Sequence, residues 1–105
     1  MAKIKWSKDA LFALKDICDY IALDSKFYAR IFSDRVIELV EHLETFPEIG
    51  RKVPEADDLK VREIIYKNYR IIYQLLDGYI EIITILSSPS ESLVEDSDDR
   101  NLHAF

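Results

Sequence analysis

The sequence predicts an α+β fold: a strand, a two-helix antiparallel hairpin, a three-stranded antiparallel meander and an acidic C-terminal tail. Three observations carry that expectation. Apolar residues recur at helical spacing twice, from Ala10 to Ile21 and from Phe32 to Phe46. Between Leu59 and Leu86 the pattern shortens to the period of a pleated strand, and an Asp77-Gly78 pair punctuates it. The length of 105 residues suits one domain with one core.

Each element has its own reason. Lys3-Ile4-Lys5-Trp6 alternates polar and apolar and predicts a short opening strand, with Trp6 anchoring it against the helices. Ser7 follows as a helix cap, and Asp9 suits the positive end of the helix dipole. Ala10, Leu11, Leu14, Ile17, Cys18 and Ile21 form the apolar stripe of this first helix. The pattern breaks at Asp24-Ser25, either of which can cap a second helix. That helix is predicted over 27–46, with Phe32, Val36, Leu39, Val40, Leu43 and Phe46 as its stripe and Pro47 as its stop. Residues 47–58, with two prolines and a glycine, read as loop. Strands are predicted over 59–65, 69–76 and 79–86, separated by turns at Lys67-Asn68 and Asp77-Gly78, with Glu81 exposed. The second turn is expected to be type I′, with positive φ at both central residues.

Composition narrows the class of function. Apolar residues make up 49% and charged residues 32% of the chain, which excludes a wholly disordered, collagenous or coiled-coil protein. Cys18 is the single cysteine, so no internal disulfide is available, and with two histidines a zinc framework is not expected. There is no signal-like segment and no apolar run of membrane-spanning length. A cytoplasmic protein without membrane contact is expected, and nothing in the sequence calls for a cofactor.

The formal net charge of −6 is uneven. Residues 90–105 carry five acids against Arg100, a net of −4, and are expected to form a flexible tail behind a domain of residues 1–89. Within that domain, Arg51, Lys52, Lys60, Arg62, Lys67 and Arg70 gather on the meander. They can be an ordinary solvated sheet edge or a binding strip for RNA or an acidic partner. The tail can be a solubilising segment or a weak cover folded over that strip.

Several phrases then resemble one family. They are Ile4-Lys5-Trp6-Ser7, Ile17-Cys18-Asp19-Tyr20-Ile21, and the run Leu43-Glu44-Thr45-Phe46-Pro47-Glu48-Ile49-Gly50-Arg51. Val61-Arg62-Glu63-Ile64-Ile65 and Asn68-Tyr69-Arg70-Ile71-Ile72-Tyr73 complete the set. In order and spacing over about residues 3–86 they resemble the RelE/ParE toxin superfamily, and the Phe-Pro-x-x-Gly-Arg and Asn-Tyr-Arg-Ile-x-Tyr phrases look closer to ParE. The resemblance implies the toxin half of a bacterial type II toxin–antitoxin module, neutralised by a cognate antitoxin. A homodimer or a toxin–antitoxin hetero-oligomer is the expected assembly. For ParE-like members it implies DNA gyrase as the target. For RelE-like members it implies cleavage of mRNA on the ribosome, and a third reading keeps only the interaction module without toxicity.

The residues weigh against nuclease chemistry. Metal-independent RNA cleavage needs a base, cations on the phosphate and an acid for the leaving oxygen. Arg62, Arg70 and Tyr73 are the catalytic candidates under that reading, with Arg51 and Lys52 assisting and Tyr66 as another proton donor. Many members end the last strand with a histidine followed three residues later by an arginine; the aligned positions here are Ser87 and Ser90. A serine hydroxyl does not titrate near neutral pH. His42 reads as a surface residue beside the second stripe, His103 lies in the tail, and Cys18 reads as a small buried hydrophobe.

Overall fold

The computed structural model describes residues 2–87. Strand β1 (Lys3–Trp6) leads into helices α1 (Lys8–Ala22) and α2 (Lys26–His42). Strands β2 (Arg51–Lys52), β3 (Val61–Tyr66), β4 (Tyr69–Leu76) and β5 (Tyr79–Ser87) follow. They form one sheet in the order β1-β5-β4-β3-β2. Strand β1 runs parallel to β5, and every other pairing is antiparallel. The expected α+β architecture is present, with β2 added as a short edge strand inside the segment expected to be loop. Two residues of Arg-Lys between prolines are too short a run for alternation to register. The acidic residues 90–105 and the proposed domain boundary at residue 89 lie outside the described residues.

Ser7 fixes the junction between helix and sheet. Its hydroxyl accepts from the Ala10 amide at 3.0 Å, capping α1, and donates to the Ile83 carbonyl at 2.7 Å. Its own amide donates to the Ile82 carbonyl. The Ile83 carbonyl needs such a partner. Tyr73 opposes Ile82 and Ile72 opposes Thr84, so Ile83 is the extra residue of a β-bulge, displaced from the ladder. Of the two candidate caps for α2, Ser25 is the one used, accepting from the Tyr28 amide at 3.1 Å.

The core lies between the helices and one face of the sheet. Ala10, Phe32, Val36, Val40 and Leu43 meet Ile71, Tyr73, Ile80, Ile82 and Ile85 there. Trp6, Ile17, Cys18 and Ile21 pack against its margin half-buried. Two residues assigned to the stripes are outside it. Leu11 is 53% exposed because it falls on the flank of α1, and Phe46 is equally exposed because α2 ends at His42 and the chain turns before reaching it. Glu81, expected to be exposed, is half-buried beside Lys5 on the neighbouring strand.

The two hairpin turns fall where expected, with different backbone geometry. Gly78 takes φ of +80° while Asp77 does not enter the left-handed region, so the turn is not type I′. In the other turn Lys67 takes φ of +55° and Asn68 stays negative.

Candidate functional site

The phrases that carry the family resemblance are far apart in sequence and meet in space. Tyr73 points from β4 towards the loop after α2. Its hydroxyl accepts from the Gly50 amide at 2.9 Å and donates to the Pro47 carbonyl at 2.8 Å. Burial pushes this phenol's pKa up. Arg62, cross-strand from Tyr73, reaches the same loop, donating to the carbonyls of Gly50 at 2.8 Å and Glu48 at 3.3 Å. Its Nε is buried without a hydrogen bond to any described residue. Gly50 fits only as glycine: an added Cβ would lie 2.6 Å from the Tyr73 hydroxyl and 2.7 Å from the Glu63 carbonyl.

The opposite face of the sheet holds Arg51 and Arg70. Glu63, its side chain fully buried, accepts from Arg51 Nε and Arg70 Nε, each at 2.7 Å. Arg70 turns its remaining nitrogens to Glu55 at 2.9 and 3.1 Å, and this pairing holds the Glu55 carboxyl below the usual glutamate range. The expected strip is therefore divided. Arg51 and Arg70 face away from the helices and are ion-paired, whereas Arg62 shares the helix-side face with Lys52 across the β2–β3 register. Lys60 precedes β3, and Lys67 sits in the turn with its Nζ 5.7 Å from the Tyr66 ring.

The remaining candidates do not converge either. Tyr66 packs its ring 5.7 Å from Phe32. His42 is exposed and stacks on Phe46 with centroids 6.1 Å apart. It lines an open depression of about 640 Å³ with Arg35, Glu38, Leu39, Thr45 and Tyr66. Cys18 is half-buried, its thiol pushed up by burial, with Sγ 3.8 Å from the Ala29 carbonyl. Ser87 closes β5 opposite Tyr69 and is exposed, while Ser90 and His103 lie outside the described residues.

The surface that sequence reasoning missed is on the helices. Phe12, Tyr20, Leu23, Phe27 and Tyr28 are between 61% and 82% exposed, and Leu11 and Ile37 are exposed on other sides of the same helices. Isolated exposed apolar residues are ordinary; five large ones on one helical hairpin are a candidate binding surface. A signal was present: Phe12, Tyr20, Leu23, Phe27 and Tyr28 stand outside both stripes, where a solvated helix would carry polar side chains.

The sequence matches the family described as the ParE toxin of the type II toxin–antitoxin system, parDE, over residues 4–89. The chain belongs to the ParE toxin family. A solved structure of similar fold is that of a chromosomal ParDE toxin–antitoxin system from P. aeruginosa. It superposes with a TM-score of 0.70 at 22% identity, covering 84% of this chain and 97% of that one. No curated protein matches the sequence. The matched span of the ParE family runs from β1 past the end of β5, so it includes both the clamped loop and the apolar hairpin. Among the described residues, no helix is long and apolar enough to cross a membrane.

Proposed function

We propose that this ParE family member acts by binding a protein, with DNA gyrase as the target, and that a cognate antitoxin neutralises it by covering the helical hairpin. The observation that carries this reading is the exposure of Phe12, Tyr20, Leu23, Phe27 and Tyr28 on the helical hairpin. An antitoxin segment with an amphipathic helix would bury that surface in the helix-in-groove manner. The cations that a nuclease would turn to its substrate support the same choice. Arg51 and Arg70 are engaged by Glu63 and Glu55, and Arg62 by loop carbonyls.

The test is expression without antitoxin, together with supercoiling by purified gyrase. Growth arrest and reduced supercoiling are expected, both reversed by the antitoxin. Intact supercoiling with codon-positioned cuts in translated mRNA would replace this reading with the RelE-like one. Tight antitoxin binding by a harmless protein would leave only the interaction module.

A further inference from the structure

The chain turns sharply after α2, and the corner is held from several directions. The Phe46 amide donates to the His42 carbonyl at 2.9 Å, and the Ile49 amide donates to the Phe46 carbonyl at 3.2 Å. Phe46-Pro47-Glu48-Ile49 is thus a β-turn with proline at its second position, where the ring fixes the φ that the turn needs. The first and last residues of such a turn are within about 7 Å of each other. Tyr73 and Arg62 anchor the corner from the sheet, so the carbonyls of Phe46, Pro47, Glu48 and Gly50 are all engaged. Gly50 then brings the backbone against Tyr73 and Glu63, where no Cβ fits.

What this frame displays is apolar. Phe46 and Ile49 are 53% and 63% exposed, neighbours across the turn, and the Phe46 ring is stacked on His42. An apolar pair on a loose loop loses conformational freedom when it binds; a corner ordered beforehand avoids most of that cost. The surroundings are acidic. Glu41, Glu44 and Glu48 have no ion pair among the described residues. The first cation after the corner, Arg51, is already paired with Glu63, and Lys52 follows it. The corner is also apart from the exposed residues at the connection between the helices. Leu23, Phe27 and Tyr28 flank that connection, and the 17 residues of α2 put about 25 Å between it and the corner.

We propose that this corner is the surface through which the toxin binds its protein target. Phe46 and Ile49 enter an apolar pocket on the target, and Lys or Arg on the pocket's rim face Glu41, Glu44 and Glu48. The proposal rests on the reading that the target is a protein, and it gives that target a chemistry. A basic surface is what an enzyme that handles DNA presents to phosphates, and an acidic corner repels RNA for the same reason. The apolar pair supplies most of the affinity, while the acids steer the encounter and make it salt-dependent.

The test titrates purified full-length toxin into gyrase supercoiling reactions. A Phe46→Ser/Ile49→Ser variant, altered at exposed positions, is expected to stay folded by circular dichroism and to keep its affinity for the cognate antitoxin. It is expected to need about 10- to 100-fold more protein for half-inhibition. Ile49→Ser, at the more open of the two positions, carries the same test if the pair disturbs the turn, with about a tenfold loss expected. Glu41→Lys/Glu48→Lys is expected to weaken inhibition about tenfold at low salt, a difference that shrinks as salt rises. Wild-type inhibition by the Phe46 and Ile49 variants overturns the proposal and leaves the gyrase reading intact. Equal losses of inhibition and of antitoxin affinity also overturn it, since the corner then belongs to the antitoxin interface. Supercoiling untouched by the wild-type toxin overturns the gyrase reading and this proposal together.

Discussion

Tyr73 ties β4 to the loop after α2. Its hydroxyl answers a buried amide and a carbonyl of the loop in one gesture. Tyr73→Phe leaves the Gly50 amide buried and unpaired, and is expected to cost about 1–3 kcal/mol in chemical denaturation. The pH dependence has a definite sign. The folded phenol's pKa is raised above the ordinary 10.0, so its contribution is fully present below pH 10 and is lost as pH rises through the raised value. The stability gap between wild type and Tyr73→Phe should therefore narrow in the alkaline limb of a pH titration. Gly50→Ala tests the same contact sterically. A Cβ 2.6 Å from one neighbour and 2.7 Å from a backbone oxygen must displace the loop, and a loss of about 1–3 kcal/mol is expected.

At the level of elements, two joints hold the sheet to its surroundings. Ser7→Ala removes both the α1 cap and the partner of the bulged Ile83 carbonyl. It is expected to cost about 1–2 kcal/mol, towards the upper end of cap substitutions, read as a lowered thermal midpoint. Glu63→Ala leaves Arg70 buried with Glu55 as its remaining partner among the described residues and is expected to cost about 3 kcal/mol. The helices, three long strands and both turns were legible because periodicity and capping residues are local signals. Strand β2 was not legible, since it exists only through the pairing of Arg51 and Lys52 with Glu63 and Arg62. The division of the cations was equally hidden. A list of arginines in sequence does not show that alternate residues of β3 and β4 face opposite sides, or that a buried glutamate already claims two of them. The exposure of Leu11 and Phe46 was missed because a stripe read on a helical wheel has no knowledge of where the sheet ends or the helix stops.

For the molecule as a whole, the division of labour between the two sides of the hairpin makes the proposed function separable from stability. The inward side carries the core. The outward side carries Leu11 and Phe12, which are 53% and 64% exposed and whose replacement should leave the folded state within about 0.5 kcal/mol of wild type. The same residues should matter in the complex, where anchors that become buried typically account for about 1–2 kcal/mol each or more. A Leu11→Asp/Phe12→Asp double variant is therefore expected to melt like wild type and to bind the antitoxin about 10- to 100-fold more weakly by calorimetry. Arg62→Ala gives the complementary behaviour. It releases the Glu48 and Gly50 carbonyls and lowers stability, but each folded molecule should bind with nearly wild-type affinity because the arginine is turned to its own loop. If the double variant bound normally while Arg62→Ala lost affinity without losing stability, the interface would have to move from the helical hairpin to the loop that Arg62 and Tyr73 hold in place.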